Sequence, residues 1–124
     1  MTKPTRILTV DDSASMRALL NAALSSEGFD VAQAEDGIAA LEWLAFNEAD
    51  LVITDINMPR LDGFGLIEKV REGGCAHRCR PILVLTTESS DEKKARARAA
   101  GATGWIVKPF SPEKLVAAVR RVTH

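Results

Sequence analysis

Four short runs of aliphatic and β-branched residues, Ile7 to Val10, Leu51 to Thr54, Ile82 to Leu85 and Trp105 to Val107, each end in residues that carry chemistry. The endings are Asp11-Asp12, Asp55, Thr86-Thr87 and Lys108-Pro109. Runs this short and this apolar read as strands buried on both faces, as the inner strands of a parallel sheet are. In an open parallel α/β sheet the carboxyl ends of the strands share one rim, and ligands bind at that rim. Three carboxylates, a hydroxyl and an ammonium are therefore expected to converge. Asp55 follows the central run and is the expected floor of a site.

The segments between these runs carry helical spacing. Met16, Leu19, Leu20, Ala23 and Leu24 make one apolar stripe before Gly28. Phe29 to Ala34 mixes apolar residues with Asp30 and Gln33, the composition of an edge strand. Asp36 is placed to cap a second helix with Ile38, Leu41, Leu44 and Ala45 inward, and Glu35 and Asp36 read as nothing more than loop and cap residues about as readily as anything else. The loop Met58-Pro59-Arg60-Leu61-Asp62-Gly63 leads to a third helix with Phe64, Ile67 and Val70 inward, closed by Gly73-Gly74. Ser89-Ser90-Asp91-Glu92 opens a fourth helix with acids where the macrodipole favours them. Its apolar residues are alanines, notably Ala95, Ala99 and Ala100, and its basic run Lys93, Lys94, Arg96 and Arg98 reads as a solvated face. Burying alanine removes little area, so this helix is expected to be held loosely. Gly101-Ala102-Thr103-Gly104 introduces the fifth strand, and Ser111-Pro112-Glu113 starts a last helix with Leu115, Ala118, Val119 and Val122 inward. Five strands alternating with five helices predict an α/β fold, a doubly wound parallel sheet with helices on both faces.

A chain of 124 residues suffices for one domain, expected to span residues 1–124. A formal charge of -1 supplies no footprint for non-specific nucleic-acid or membrane binding. No apolar run approaches the roughly 18 residues of a membrane span, and the start runs directly into a strand, so a cytoplasmic protein is expected. Cys75, His77 and Cys79 supply three ligands where structural zinc takes four, at a spacing unlike a finger. Reduced loop thiols are the expected state, since a reducing compartment disfavours a disulfide.

Three carboxylates at one rim repel one another, so either some are protonated or a cation lies among them. A divalent ion is the simplest solution. Oxygen donors without His or Cys favour Mg²⁺, which takes one or two carboxylates, keeps several waters and bridges to phosphate oxygens. There is no Walker-type loop, and Gly63-Phe64-Gly65 lacks the preceding strand of a dinucleotide fingerprint. A carboxylate can itself accept a phosphoryl group as an aspartyl phosphate. Asp55 is then the nucleophile, Asp11 and Asp12 hold Mg²⁺, Lys108 pairs with phosphoryl oxygens and Thr86 donates a hydrogen bond. Singly, Asp12 reads as an N-cap, Thr86 as a strand end and Lys108 as a surface base. Their joint placement favours the site.

With Val10-Asp11-Asp12-Ser13, Thr54-Asp55-Ile56-Asn57-Met58-Pro59, Leu85-Thr86-Thr87-Glu88 and Lys108-Pro109-Phe110 in this order and spacing, the whole chain resembles a CheY-type response-regulator receiver domain. The resemblance implies a flavodoxin-like (βα)5 fold with strand order 2-1-3-4-5. It implies a phosphoryl group taken from a histidine kinase onto Asp55, with Mg²⁺ held by Asp11, Asp55 and the backbone carbonyl of Asn57, and with Asp12 acting mostly through water. In such proteins the Lys-Pro peptide is often cis, the hydroxyl corresponding to Thr86 moves toward the phosphoryl group, and the aromatic corresponding to Trp105 turns inward. Trp105 departs from the usual Tyr or Phe, and Thr87 departs from the usual Ala or Gly. Two charge-assisted hydrogen bonds made only in the active state total about 3 to 6 kcal/mol, enough to approach the roughly 5.5 kcal/mol that inverts a 1:99 equilibrium. The loosely held fourth helix, beside Trp105, is the element predicted to shift. Asn57 and Glu88 match residues flanking the phosphoryl group in fast-resetting chemotaxis regulators, which implies a short-lived phosphoryl group.

A receiver without room for an output domain is expected to act by binding, as a monomer, and not as a turnover enzyme. The resemblance points to a chemotaxis histidine kinase as donor and to the flagellar motor switch as target. The docking surface it implies is the fourth helix, fifth strand and fifth helix. A phosphate sink, or a relay intermediate passing phosphate to another histidine, uses the same site. A phosphatase of the haloacid dehalogenase type needs a second aspartate two residues after the nucleophile, where Asn57 stands, and a cap domain. A binding module that never takes phosphate is favoured by loss of a rim residue, and none is lost.

Overall fold

Leu51 to Thr54 are buried along their whole length and form β3 (Leu51–Thr54), the middle strand of five. The computed structural model describes residues 4–73 and 80–123. The other elements are β1 (Arg6–Val10), α1 (Ala14–Ser25), β2 (Asp30–Ala34), α2 (Gly37–Phe46), α3 (Gly63–Glu72), β4 (Ile82–Thr86), α4 (Asp91–Ala100), β5 (Gly104–Val107) and α5 (Pro112–Thr123). All strand pairs are parallel and the order is β2-β1-β3-β4-β5, as the resemblance implied. Cys75, His77 and Cys79 lie outside the described residues.

Strand side chains alternate between faces, and the two faces feed separate cores. Leu8, Val10, Val52, Ile82 and Val84 pack with Ala40 and Leu44 of α2, with Phe64, Leu66, Ile67 and Val70 of α3, and with Ala97 of α4. Ile7, Leu51, Ile53, Leu83 and Leu85 pack with Leu20 and Leu24 of α1 and with Leu115 and Val119 of α5. Each fully buried Leu or Ile contributes about 1.5 to 3 kcal/mol, so α1, α3 and α5 are strongly held to the sheet. Serine or aspartate caps begin the helices: Ser13, Asp36, Asp62, Ser90 and Ser111 accept from Met16, Ala39, Gly65, Lys93 and Lys114 backbone N–H groups. No helix among the described residues is long and apolar enough to cross a membrane.

Several stripe residues differ from the sequence expectation. Leu19 is 59% exposed, because Leu20 and Leu24 occupy the centre of the α1 stripe and leave Leu19 at its edge. In α2 the buried residues are Gly37, Ala40 and Leu44, and Ala45 is exposed. That segment, GIAALEWLAF, is apolar nearly all round and does not specify a face by pattern. Gly37 is required there, since a Cβ would collide with the Leu61 backbone. In α4 the buried residue is Ala97, while Ala95 and Ala99 are exposed and Ala100 is half-buried. Alanines scattered on several faces cannot select one by bulk.

The register sets the rim. Val10 pairs with both Ala34 and Thr54, and Thr54 pairs with Val84, so β1, β2 and β3 end level while β4 runs two residues further. Thr86 pairs with Val107 on that higher level. Asp11 and Asp55 therefore leave the sheet side by side, with Thr86 one step and Lys108 two steps above them.

Candidate functional site

Backbone hydrogen bonds continue the ladder past the strand ends and hold the rim residues. Asp11 N–H donates to the Ala34 carbonyl at 3.1 Å, Asp55 N–H to Val10 at 3.0 Å and Lys108 N–H to Thr86 at 2.7 Å. Arg17 on α1 donates to the Asp11 carbonyl. The Lys108–Pro109 peptide is cis. On the far side of Asp55, Gly63 opens α3 so close that any Cβ would meet the Asp55 carbonyl.

These anchors bring Asp11, Asp55 and Lys108 together. Lys108 Nζ donates to Asp11 Oδ2 at 2.9 Å and to Asp55 Oδ2 at 3.0 Å, and all three side chains are at least 88% buried. The opposite oxygens are also engaged. Asp11 Oδ1 accepts from Ser13 N–H at 2.8 Å, and Asp55 Oδ1 accepts from Ile56 N–H at 2.7 Å and from Asn57 N–H at 3.4 Å. Burial alone would lower the Lys108 pKa, but the hydrogen bonds to Asp11 and Asp55 outweigh it and hold the ammonium above the ordinary lysine value. The cation among the carboxylates is thus supplied by the chain itself.

Asp12 does not join this group. It is exposed, and among the described residues no three His, Cys, Asp or Glu side chains stand close enough to ligate one ion. The expected convergence of three carboxylates is corrected to two carboxylates and an ammonium, with Asp12 exposed outside that hydrogen-bonded group. Nor is Asp12 the cap of α1, a role Ser13 fills. The donors still suit a hard cation. Asp11 and Asp55 offer oxygen only, each carboxylate keeps lone pairs beyond the bonds already made, and Mg²⁺ needs few protein ligands because it retains water.

A second cluster centres on Glu88. Its backbone N–H donates to Thr86 Oγ1 at 3.4 Å, and its carbonyl accepts from Trp105 Nε1 at 3.1 Å. Its carboxylate accepts from Asn57 Nδ2 at 3.4 Å and pairs with Lys93 Nζ at 3.0 Å. The Lys93 hydrogen bond, then that of Asn57, hold the Glu88 pKa below the usual carboxylate range. Thr86 is fully buried and makes no hydrogen bond to Asp55, and Thr87 is exposed. Trp105 is half-buried beside α4.

Three contacts escaped the sequence reading. Lys93 was grouped with a solvated basic run, although the Ser90 cap places it in the first helical turn, facing back toward the rim. Arg96 of α4 stacks over the Phe64 ring at 4.1 Å to the centroid. Arg60 pairs with Asp36 at 2.7 Å and binds the loop after Asp55 to the start of α2. The acid-then-base order Asp36…Arg60 carries no local signal, because 24 residues separate the partners.

Comparison with known proteins places this geometry in context. Residues 7–120 match the profile of the response regulator receiver domain. The chain is 41% identical over 117 residues to the response regulator MprA of Mycobacterium sp. (strain KMS), covering 94% of this chain and 50% of that protein. It spans about half the length of the curated relatives it matches. The chemotaxis protein CheY4 of Vibrio cholerae superposes with a TM-score of 0.92 at 42% identity, covering 97% of this chain and 99% of that one. The receiver domain of the sensor histidine kinase PA1611 from Pseudomonas aeruginosa PAO1, with a magnesium ion coordinated in its active site cleft, superposes at 0.89 with 26% identity, covering 98% of each chain.

Proposed function

The chain belongs to the response regulator receiver family, and from that premise we propose that residues 1–124 form one receiver unit that accepts a phosphoryl group on Asp55 from a histidine kinase. One observation carries this reading: Lys108 holds the Asp55 carboxylate at 3.0 Å from its ammonium while also binding Asp11 at 2.9 Å. A nucleophilic carboxylate is thereby fixed beside a permanent cation. An Asp55 oxygen attacks phosphorus, the O–P bond forms as the N–P bond of phosphohistidine breaks, and the imidazole leaves with a proton. Lys108 faces the incoming phosphoryl oxygens and offsets their charge.

Asp11, Asp55 and the backbone carbonyl of Asn57, with Asp12 through water, are the residues that would hold Mg²⁺. Mg²⁺ supplies charge neutralisation and alignment of the phosphoryl oxygens. The magnesium in the PA1611 receiver supports this assignment. Thr86 and Trp105 act as the switch, Asn57 and Glu88 tune loss of the phosphoryl group, and the target is the flagellar motor switch, docking on α4, β5 and α5. The similarity to CheY4 over nearly the whole chain supports that target. A chemotaxis histidine kinase is the matching donor, and the unit acts as a cytoplasmic monomer without turning over a small substrate.

A second reading rests on the 41% identity to a relative about twice as long. In it the same site governs a different effector, or works as a phosphate sink or a relay intermediate passing phosphate to another histidine. The test is intact mass taken soon after adding Mg²⁺ and acetyl phosphate, with Asp55→Ala and a chelated sample alongside. One phosphoryl group gained only with both Asp55 and Mg²⁺ is the expected result. Binding of the phosphorylated form to the motor switch protein, against transfer to a histidine phosphotransfer protein, then separates the two readings. No gain under any condition overturns the acceptor role.

A further inference from the structure

Lys93 stands on the first turn of α4 and reaches back to the rim. Its Nζ lies 3.0 Å from Glu88 Oε1, and the same oxygen accepts from Asn57 Nδ2 at 3.4 Å. Asn57 in turn donates its backbone N–H to Asp55 Oδ1 at 3.4 Å. A chain of contacts thus runs from α4 through Glu88 and Asn57 to the carboxylate. Asp55 Oδ2 faces Lys108 and Oδ1 faces the Ile56 and Asn57 amides, and Glu88 is tied to the Oδ1 side through the Asn57 side chain.

An unsupported Glu88 does not stay there. The negative charge of Asp55 opposes ionised Glu88, and a phosphoryl group on Asp55 adds about one further negative charge. The Glu88 backbone is fixed by Thr86 and Trp105, but its side chain is free to rotate into water unless something holds it. Lys93 is the group that does, and the Asn57 amide alone supplies only a long, weak bond.

We propose that Lys93 is a positioning residue: by pinning Glu88 against Asn57 it narrows the approach of water to Asp55 on that side and prolongs the life of the phosphoryl group on Asp55. This rests on the reading of Asp55 as phosphoacceptor. In the step concerned, a water oxygen attacks phosphorus, the P–O bond to Asp55 breaks, the carboxylate is regenerated and inorganic phosphate leaves with the water proton. With Lys93 removed, Glu88 swings out and water enters past Asn57. A partner that docks on α4 through a carboxylate and takes the Lys93 ammonium shortens the phosphoryl lifetime by the same route.

The experiment compares decay of the phosphorylated protein, after rapid removal of acetyl phosphate, in wild type, Lys93→Met, Lys93→Arg, Glu88→Gln and Glu88→Gln with Lys93→Met. Solvent exchange of the Asn57 side-chain amide is followed by NMR in the unphosphorylated forms. Exposed ion pairs of this kind shift equilibria by about two- to five-fold. Decay is expected to quicken by about that factor in Lys93→Met, with faster Asn57 amide exchange, and Lys93→Arg restores both. In the Glu88→Gln background Lys93→Met has no further effect. Normal phosphorylation with unchanged decay in Lys93→Met, or an equal effect in the Glu88→Gln background, overturns the role of Lys93 alone. No phosphoryl gain by wild type overturns the acceptor reading and this one together.

Discussion

Asp36 and Arg60 meet at two points across 24 residues of chain: Nε donates to Oδ2 at 2.7 Å and Nη2 to Oδ1 at 3.0 Å. Asp36 also caps α2, and Arg60 sits in the left-handed region with φ 68°. The pair therefore ties the loop that follows Asp55 to the start of a helix, using a residue whose backbone is strained.

That strain separates two substitutions at one position. Arg60→Ala removes the pair and keeps a Cβ in left-handed backbone, whereas Arg60→Gly removes the pair and relieves the strain. The glycine variant is expected to be more stable than the alanine variant by about 1 kcal/mol in urea unfolding. Asp36→Ala loses the cap as well, at about 1 kcal/mol, and ranks below both. Equal stability of the two Arg60 variants would show that φ 68° costs nothing there.

Acid sensitivity follows from the same pair. The Arg60 guanidinium, with the Ala39 N–H, holds the Asp36 pKa below the ordinary carboxylate value. A depressed native pKa contributes stability that is complete above the unfolded value, near 3.9, and is lost as pH falls through the lower native value. Asp36→Asn is thus expected to flatten the stability profile in that acid window and to leave its alkaline side unchanged. Parallel profiles for wild type and variant, measured by urea midpoints from about pH 2 to 7, would remove Asp36 as the cause.

Lys108 competes for the oxygens that a metal ion needs. Lys108→Met preserves length and removes the ammonium, so Mg²⁺ affinity by calorimetry is expected to rise while phosphorylation by acetyl phosphate slows by about 10- to 100-fold, the worth of one charge-assisted hydrogen bond. The raised pKa adds an alkaline signature. The stabilising contribution of Lys108 is complete below about 10.4 and is lost as pH rises through its higher native value, a loss the methionine variant lacks. Affinity and phosphorylation falling together would mean that the ammonium does not compete with the ion.

Much of this was legible because it is local. The buried runs, Asp55 at a strand end and the Ser90 and Ser111 caps each follow from neighbouring residues, and parallel pairing then forces Asp11, Asp55, Thr86 and Lys108 to one rim. What escaped depends on distance or on ambiguous pattern. Arg60 finds Asp36 only after α2 and β3 have folded, and α2, apolar apart from Glu42, offers no clear period by which to exclude Ala45. Asp12 is exposed while Asp11 is buried, because successive side chains leaving a strand point to different sides, so two neighbours in sequence meet the rim differently.

Trp105 offers a direct probe of the Glu88 loop. Its indole N–H donates to the Glu88 carbonyl at 3.1 Å, a bond that Trp105→Phe deletes while keeping a ring in place. A neutral hydrogen bond is worth about 0.5 to 1.5 kcal/mol, so the variant is expected to lose no more than that and to show faster amide exchange in Glu88 and Ser89. Unchanged exchange there would mean that the indole does not restrain the loop.

The α4 helix is where loose packing and proximity to the rim coincide. It buries Ala97, whereas α3, of equal length, buries Phe64, Leu66, Ile67 and Val70. Those four side chains supply roughly 6 to 12 kcal/mol of burial that α4 does without. What holds α4 instead includes Lys93 to Glu88 at the start, Arg96 over the Phe64 ring at mid-helix, and at the finish the Gly101 carbonyl, which accepts from Arg71 Nε at 3.0 Å and Nη2 at 2.7 Å. Hydrogen exchange by mass spectrometry is expected to be at least about tenfold faster for the α4 peptide than for the α3 peptide. Arg71→Ala should speed α4 further at its C-terminal end while leaving α1 unaffected. Equal protection of α3 and α4 would show that the polar ties compensate fully for missing apolar burial, and α4 would then be a poor choice for the element that moves.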